Sequence, residues 1–221
     1  MPRPSAGSRS HPLTSDSSAV EHLRGSDPVM ARLIGDYGAP DGVLARRGRR
    51  PGDAYGALLR SIVGQQLSTK AARTIYERLT DLFGGRAPTP GELLDVDPEK
   101  LREAGLSRAK VAYLRDLAEH VEDGELDLEH MAELDSDEIA EQLIAIKGLG
   151  QWTVDMFLIF HLGRPDILPV GDLGIRRAAQ IEYGLDDLPK PPELERIAEP
   201  WRPWRSLACL YLWRSLDATP G

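Results

Sequence analysis

From Asp53 onward, apolar side chains recur every three to four residues and never alternate with polar ones over a run long enough for a strand. That recurrence restricts the chain to helices. Leu58, Leu59, Ile62 and Val63 share one face, and Ala72, Ile75, Tyr76, Leu79 and Phe83 form a longer stripe that stops at Gly84 and Gly85. Three helix starts are written in capping residues: Thr89 before Pro90 with Glu92 behind it, Asp97 before Pro98, and Asp135 with Glu138. In "SRAKVAYLRDLAEHVEDG", Val111, Leu114 and Leu117 or Ala118 line one side before a glycine stop. The prediction is an all-α protein of about ten helices joined by short loops.

Two irregular segments interrupt this pattern. "AEQLIAI" closes a helix, "KGLG" makes a tight turn, and Gln151 starts another helix with Val154, Phe157, Leu158 and His161 at i, i+3, i+4 and i+7. Gly148 and Gly150 let the backbone approach another surface, and the amides at the new helix start form an anion site that fits a phosphodiester. The same glycines would also serve a plain connection between helices. Further on, in "ILPVGDLGIRRA", Pro169 and Gly171 break the helix. Asp172 then stands directly before an amphipathic segment of Leu173, Ile175, Ala178 or Ala179, and Ile181 or Glu182.

The net charge of −8 and pI near 5.2 argue against a broad basic surface for nucleic acid. A protein that grips phosphate through backbone amides and a helix end needs fewer lysines, so an acidic total and DNA binding are compatible. Acid concentrates in "EHVEDGELDLEHMAELDSDEIAE", whereas "ARRGRR" at 45–50 and "WRPWRSLACLYLWR" are locally basic. Cys209 is the only cysteine, which excludes an internal disulfide and a four-thiolate iron-sulfur cluster. No apolar run approaches the ~20 residues of a membrane span, and the first residues lack the apolar middle of a signal peptide, so a cytoplasmic protein is expected. Residues 1–18, rich in Ser, Pro and Arg, read as a disordered tail ahead of a domain over 19–221.

"LIAIKGLGQWTVDMFLIFHLGRPDILPVGDLG" resembles the signature of the helix-hairpin-helix (HhH-GPD) DNA glycosylases, with their Gly/Pro-rich loop and downstream aspartate. "SIVGQQLSTKAA" and "WRPWRSLACLYLW" resemble the 3-methyladenine DNA glycosylase II branch, and the likeness covers roughly residues 50 to 216. The resemblance implies two interleaved helical lobes, a hairpin at 143–155 and a DNA cleft between the lobes. It further implies a monomer acting on damaged bases in double-stranded DNA, nucleoid-associated if bacterial, with no required cofactor. By that resemblance, the N-terminal stretch is expected to be too short for the extra sheet domain that some larger relatives carry before the helices.

By the same resemblance, Asp172 carries the chemistry: a fixed carboxylate stabilises the cationic sugar of N-glycosidic hydrolysis or deprotonates water. Asp172 is equally a good N-cap, and the two roles coexist, since a helix N-terminus favours the charged form. Trp152 occupies the position of the lysine nucleophile of bifunctional relatives, and an indole forms no Schiff base, which implies a monofunctional enzyme. Trp152 then lines the pocket for the extruded base, with core packing as its alternative. Trp213 belongs at that pocket too, stacking on a methylated base, or else packs in the core. Met156 falls where some relatives carry tyrosine.

The turn at Gly64, Gln65 and Gln66 supplies the wedge that fills the gap left by a flipped nucleotide, Gln66 being the better candidate. Otherwise the two glutamines are solvated or help cap the next helix at Ser68. Lys147 and Thr153 flank the hairpin as surface residues that contact phosphate or nothing. The family hairpin often holds a monovalent Na or K ion through carbonyls, here those of Ile144, Ile146 and Leu149. Trp201 and Trp204 are expected to pack with Arg202 and Arg205. Methylated purines suit a site without an evident general acid, so 3-methyladenine and 7-methylguanine are the expected substrates, with another lesion class or uracil as the alternative. The competing readings are a non-enzymatic DNA-binding module and a metal-dependent nuclease using Asp155, Asp166 and Asp172, with a zinc deaminase weaker for want of a second cysteine.

Overall fold

A computed structural model describes residues 17–38 and 53–218. Among the described residues there are twelve α-helices, two short 3-10 turns and no strand. The basic run at 45–50 lies outside them, as does the expected tail up to residue 16. The chain divides into two units, one of Arg50–Leu162 and one drawn from Met1–Arg49 together with Gly163–Gly221.

The unit of residues 50–162 holds seven helices: α3 (Ala54–Gly64), α4 (Thr69–Asp81), α5 (Pro90–Asp95), α6 (Pro98–Glu103), α7 (Arg108–Glu122), α8 (Ser136–Ile144) and α9 (Gln151–Phe160). Helix α3 buries Leu58, Leu59, Ile62 and Val63 and packs on α4, α7 and α9. Its starts follow the sequence signals. Thr89 with Glu92 and Asp135 with Glu138 form complete capping boxes, and Asp97, Ser68 and Ser107 cap α6, α4 and α7. Helix α9 is buried along Thr153–Phe160, which exceeds the single stripe expected, and the Phe157 and His161 rings stack 4.9 Å apart.

The other unit contains α1 (Ser17–Ser26), α2 (Pro28–Tyr37), α10 (Leu173–Glu182), α11 (Pro191–Ala198) and α12 (Arg205–Ala218). Helix α1 offers little to a reading by stripes, since it buries only Ala19 and Leu23, whereas Met30, Leu33 and Ile34 do share one face of α2, which lies ahead of the stretch read as helical. Ser17 and Ser18, assigned to the tail from composition, begin α1. Helix α12 packs on α2 and α10 and is buried from Ser206 to Trp213. On α10, Ile175, Ala178 and Ala179 are buried as expected, while Leu173 and Ile181 are exposed, because the buried arc is narrower than the sequence suggested.

Asp27 ties this unit together. Its Oδ1 accepts from Val29 N (2.8 Å) and Met30 N (3.1 Å), and its Oδ2 accepts from Tyr183 Oη (2.6 Å) and Trp201 Nε1 (2.9 Å). Burial, then the hydrogen bond to Asp27, raises the Tyr183 phenol above its ordinary value. Trp201 is fully buried and bound to Asp27 through its indole N–H. Arg202 and Arg205 instead both donate to the Asp166 carboxylate, at 2.7 and 2.6 Å.

Candidate active site

Asp172 is the N-cap of α10, because Pro169 and Gly171 end the preceding loop and the backbone turns helical at Leu173. Its side chain is 8% exposed. Oδ1 accepts from Ile175 N at 2.7 Å and from Trp213 Nε1 at 3.0 Å. Two donors on one oxygen fix the carboxylate's orientation, and the helix start adds positive potential behind it. Gly174 makes room: a Cβ there would stand 3.0 Å from Asp172 Oδ1 and 3.3 Å from Trp213 Cδ1. Trp213 is 4% exposed. Its indole N–H is committed to Asp172, so this residue helps to fix the carboxylate's orientation.

The hairpin runs from the end of α8 to Gly150, the N-cap of α9. Ile146 and Leu149 anchor it as buried residues, while Ile144 is 46% exposed. Gly148 adopts φ 84°, and an added Cβ would meet Tyr113 Cδ2 at 2.3 Å, so this position accepts glycine alone. Gly150 carries no such constraint. The Ile146 carbonyl accepts from Leu149 N at 3.1 Å and closes the turn.

Side chains around the hairpin depart from expectation in three places. Lys147 donates from Nζ to Asp116 Oδ1 (2.7 Å) and from its backbone N to Oδ2 (2.9 Å), so its charge is paired within the protein. Burial pushes the Asp116 carboxyl up, but the Lys147 hydrogen bonds outweigh it and hold the group below its ordinary value. The hydrogen bond to Asp116 in turn raises Lys147. Thr153 is buried rather than a surface residue. Gln65 faces the protein: its Nε2 donates to Gly148 O (2.7 Å) and lies 3.4 Å from Thr153 Oγ1.

Gln66, by contrast, is exposed and is the one non-glycine residue with positive φ, 57°, among the described residues. A side chain there costs about 1–2 kcal/mol of backbone strain, so the turn is held by something else. Lys110 supplies it, donating from Nζ to Val63 O (2.7 Å) and Gln65 O (2.8 Å). Trp152 is 47% exposed at the start of α9, whereas Met156, one turn on, is buried.

Lys110, Tyr113 and Asp116 are absent from the sequence reading. Their one available signal was Asp116, an acidic residue directly before the apolar pair Leu117 and Ala118 in the middle of a helix. Asp155 accepts from Gln151 (2.8 Å), and Asp166 is held by two arginines. Each carboxylate of the proposed nuclease set thus already has a local donor, and no group of three metal-ligating side chains occurs among the described residues.

The chain thus holds a hairpin leading into a helix capped by Gly150 and a Pro/Gly loop ending in the capped Asp172. Residues 59–203 match the HhH-GPD superfamily of base excision DNA repair proteins, and the chain belongs to that family. It is 35% identical to DNA-3-methyladenine glycosylase 1 of Schizosaccharomyces pombe, over 92% of this chain and 89% of that protein. Among solved structures, the S. pombe 3-methyladenine DNA glycosylase in complex with abasic DNA superposes with a TM-score of 0.78 at 33% identity, covering 92% of this chain and 98% of that one. The DNA-3-methyladenine glycosidase of Bacillus halodurans superposes at 0.79 with 38% identity, over 93% and 92% of the two chains.

Proposed function

We propose that this protein is a monofunctional DNA glycosylase that extrudes alkylated bases from duplex DNA and hydrolyses their N-glycosidic bond, leaving an abasic site. The observation that carries this reading is the Asp172 carboxylate fixed by Ile175 N and Trp213 Nε1. The names of the relatives and the abasic-DNA complex of the S. pombe enzyme agree with it. In the reaction, the bond from C1′ to the base nitrogen breaks, its electron pair leaves with the base, and water adds to C1′ and releases one proton to solvent. A methylated purine already carries positive charge, so it departs without a strong acid. The sugar then bears cationic character, and a preorganised carboxylate stabilises it without reorientation. Indole at Trp152 cannot capture C1′, so no strand cleavage follows.

DNA contact in this reading falls to the backbone of the hairpin at Gly148 and Gly150 and to Gln66 as the inserted side chain. Trp152, a large ring left half exposed, is the pocket wall for the flipped base. The carbonyls of Ile144, Ile146 and Leu149, at the negative end of α8 and in the turn after it, suit a monovalent cation by donor chemistry. Such an ion would offset phosphate charge at the hairpin and takes no part in bond cleavage.

The decisive experiment measures release of methylpurines from methylated duplex DNA by the wild type and by Asp172→Asn, with and without EDTA, scoring nicks before alkali. Release by the wild type alone, indifferent to EDTA and without nicks, is expected. Equal release by both proteins would remove Asp172 from the chemistry, and EDTA-sensitive strand cutting would favour the nuclease.

A further inference from the structure

We infer that one face of α7, together with Gln65, is a positioning device that locks the Gln66 turn and the hairpin into a single unit. The inference rests on the glycosylase reading above for its functional meaning, but its geometry stands apart from it. Lys110, Tyr113 and Asp116 lie at i, i+3 and i+6 of one helix, so successive members are surface neighbours and the three span roughly a third of its circumference. Each meets one of the two loops. Lys110 donates to the carbonyls of Val63 and Gln65, which close the turn that forces Gln66 to φ 57°. Tyr113 presses its ring on Gly148, and Asp116 holds both nitrogens of Lys147.

Gln65 closes the circuit, since its backbone carbonyl is held by Lys110 while its amide nitrogen reaches across to Gly148 O. Lys110 is half-buried, and withdrawal from water lowers its ammonium from the ordinary value, so its two carbonyl partners are its compensation for lost hydration. Two loops that would otherwise move separately on a ns–μs timescale are thus tied to one rigid helix. Under the proposed function, the residue that enters the stack and the backbone that grips phosphate keep a fixed spacing. Gln65, Lys110, Tyr113 and Asp116 therefore act through Gln66 and the hairpin, and Gln65 is a strut instead of a DNA contact.

Two measurements on the full chain test this. Hydrogen exchange without DNA compares wild type, Gln65→Ala, Lys110→Met and Lys110→Arg. Both Gln65→Ala and Lys110→Met should speed exchange about tenfold at residues 64–67 and 146–150 together, with α5 and α6 unchanged and Lys110→Arg near wild type. Faster exchange confined to the mutated loop overturns the device. The second measurement follows base extrusion with 2-aminopurine placed beside a methylated base. Gln65→Ala should cut the extrusion equilibrium about five- to tenfold, yet cause no further loss in a Gln66→Ala background. Additive losses would mean that Gln65 contributes on its own and that the coupling is wrong. Absence of both extrusion and base release in the wild type would reject the glycosylase reading alone, while the exchange result still decides the device.

Discussion

Trp213 Nε1 donates to Asp172 Oδ1 across 3.0 Å, and the same oxygen caps Ile175 N at 2.7 Å, so one acceptor atom joins α12 to the start of α10. The cap is a local consequence of the sequence around Asp172. The indole contact comes from a residue 41 positions away and exists only through packing. Together they separate what Asp172 does for the fold from what it is proposed to do for the reaction.

Asp172→Asn should keep the helix cap, because Asn ranks with Asp at that position, and should shift stability by less than about 1 kcal/mol. Base release should fall at least about 10²-fold as the negative charge is lost. Single-turnover kinetics beside a thermal melt would check both; a large fall in Tm accompanying lost activity would trace the effect to folding.

Trp213→Phe keeps an aromatic ring at this buried position but removes the N–H donor together with the five-membered part of the indole. Losing one hydrogen bond to a charged acceptor, worth about 1.5 kcal/mol, should slow base release about tenfold with affinity for abasic DNA unchanged. Should the rate hold while affinity drops, Trp213 would be a DNA or base contact and not an orienter of Asp172.

Gly148→Ala combines a 2.3 Å encounter with Tyr113 and a φ of 84°. A destabilisation of about 3 kcal/mol is expected in urea denaturation. Adding Tyr113→Ala should recover the steric part and leave about 1 kcal/mol of backbone strain. No recovery in the double variant would show that the ring contact is unimportant.

Asp27→Ala removes the acceptor of four donors, among them the Tyr183 hydroxyl and the buried Trp201 indole. Stability should fall by about 3–5 kcal/mol, since each stranded buried donor costs about 1–3 kcal/mol. Equilibrium unfolding followed by tryptophan fluorescence gives the value; a loss under 1 kcal/mol would show that water replaces the carboxylate.

The Asp116 and Lys147 contact carries opposite signs at its two ends. Asp116 lies below its ordinary value, so its contribution is present above the unfolded pKa of about 3.9 and disappears as pH falls through the lower folded value. Lys147 lies above its ordinary value, so its contribution is whole below about 10.4 and vanishes as pH rises through the higher folded value. The Asp116–Lys147 contact itself should therefore contribute evenly from about pH 5 to 9, and Asp116→Asn should flatten the acid limb of the stability curve. Parallel curves for the two proteins would show that this pair is not linked to folding.

Much of the architecture is local and was therefore open to reading. Capping boxes at Thr89 and Asp135 and the N-cap at Asp172 depend on residues within three positions, so composition in a short window determines them. The hairpin at "KGLG" is legible for the same reason, since glycine marks a backbone conformation that other residues avoid. Periodicity and capping residues together gave the helices of residues 53–160, but α1, which buries only Ala19 and Leu23, offered too short a stripe to be read.

Where each polar side chain points was decided by tertiary structure. Gln65 and Thr153 look like surface residues in the sequence but turn inward, Lys147 stays exposed as expected, and each of the three has a partner 31 to 88 positions distant. Trp213 is apolar in pattern, yet its one polar atom finds Asp172 across 41 residues. A window of sequence contains the hydrogen-bonding capacity of a side chain but not the identity of its acceptor. That identity follows from which helices stack, and burial then requires that the donors brought together be satisfied.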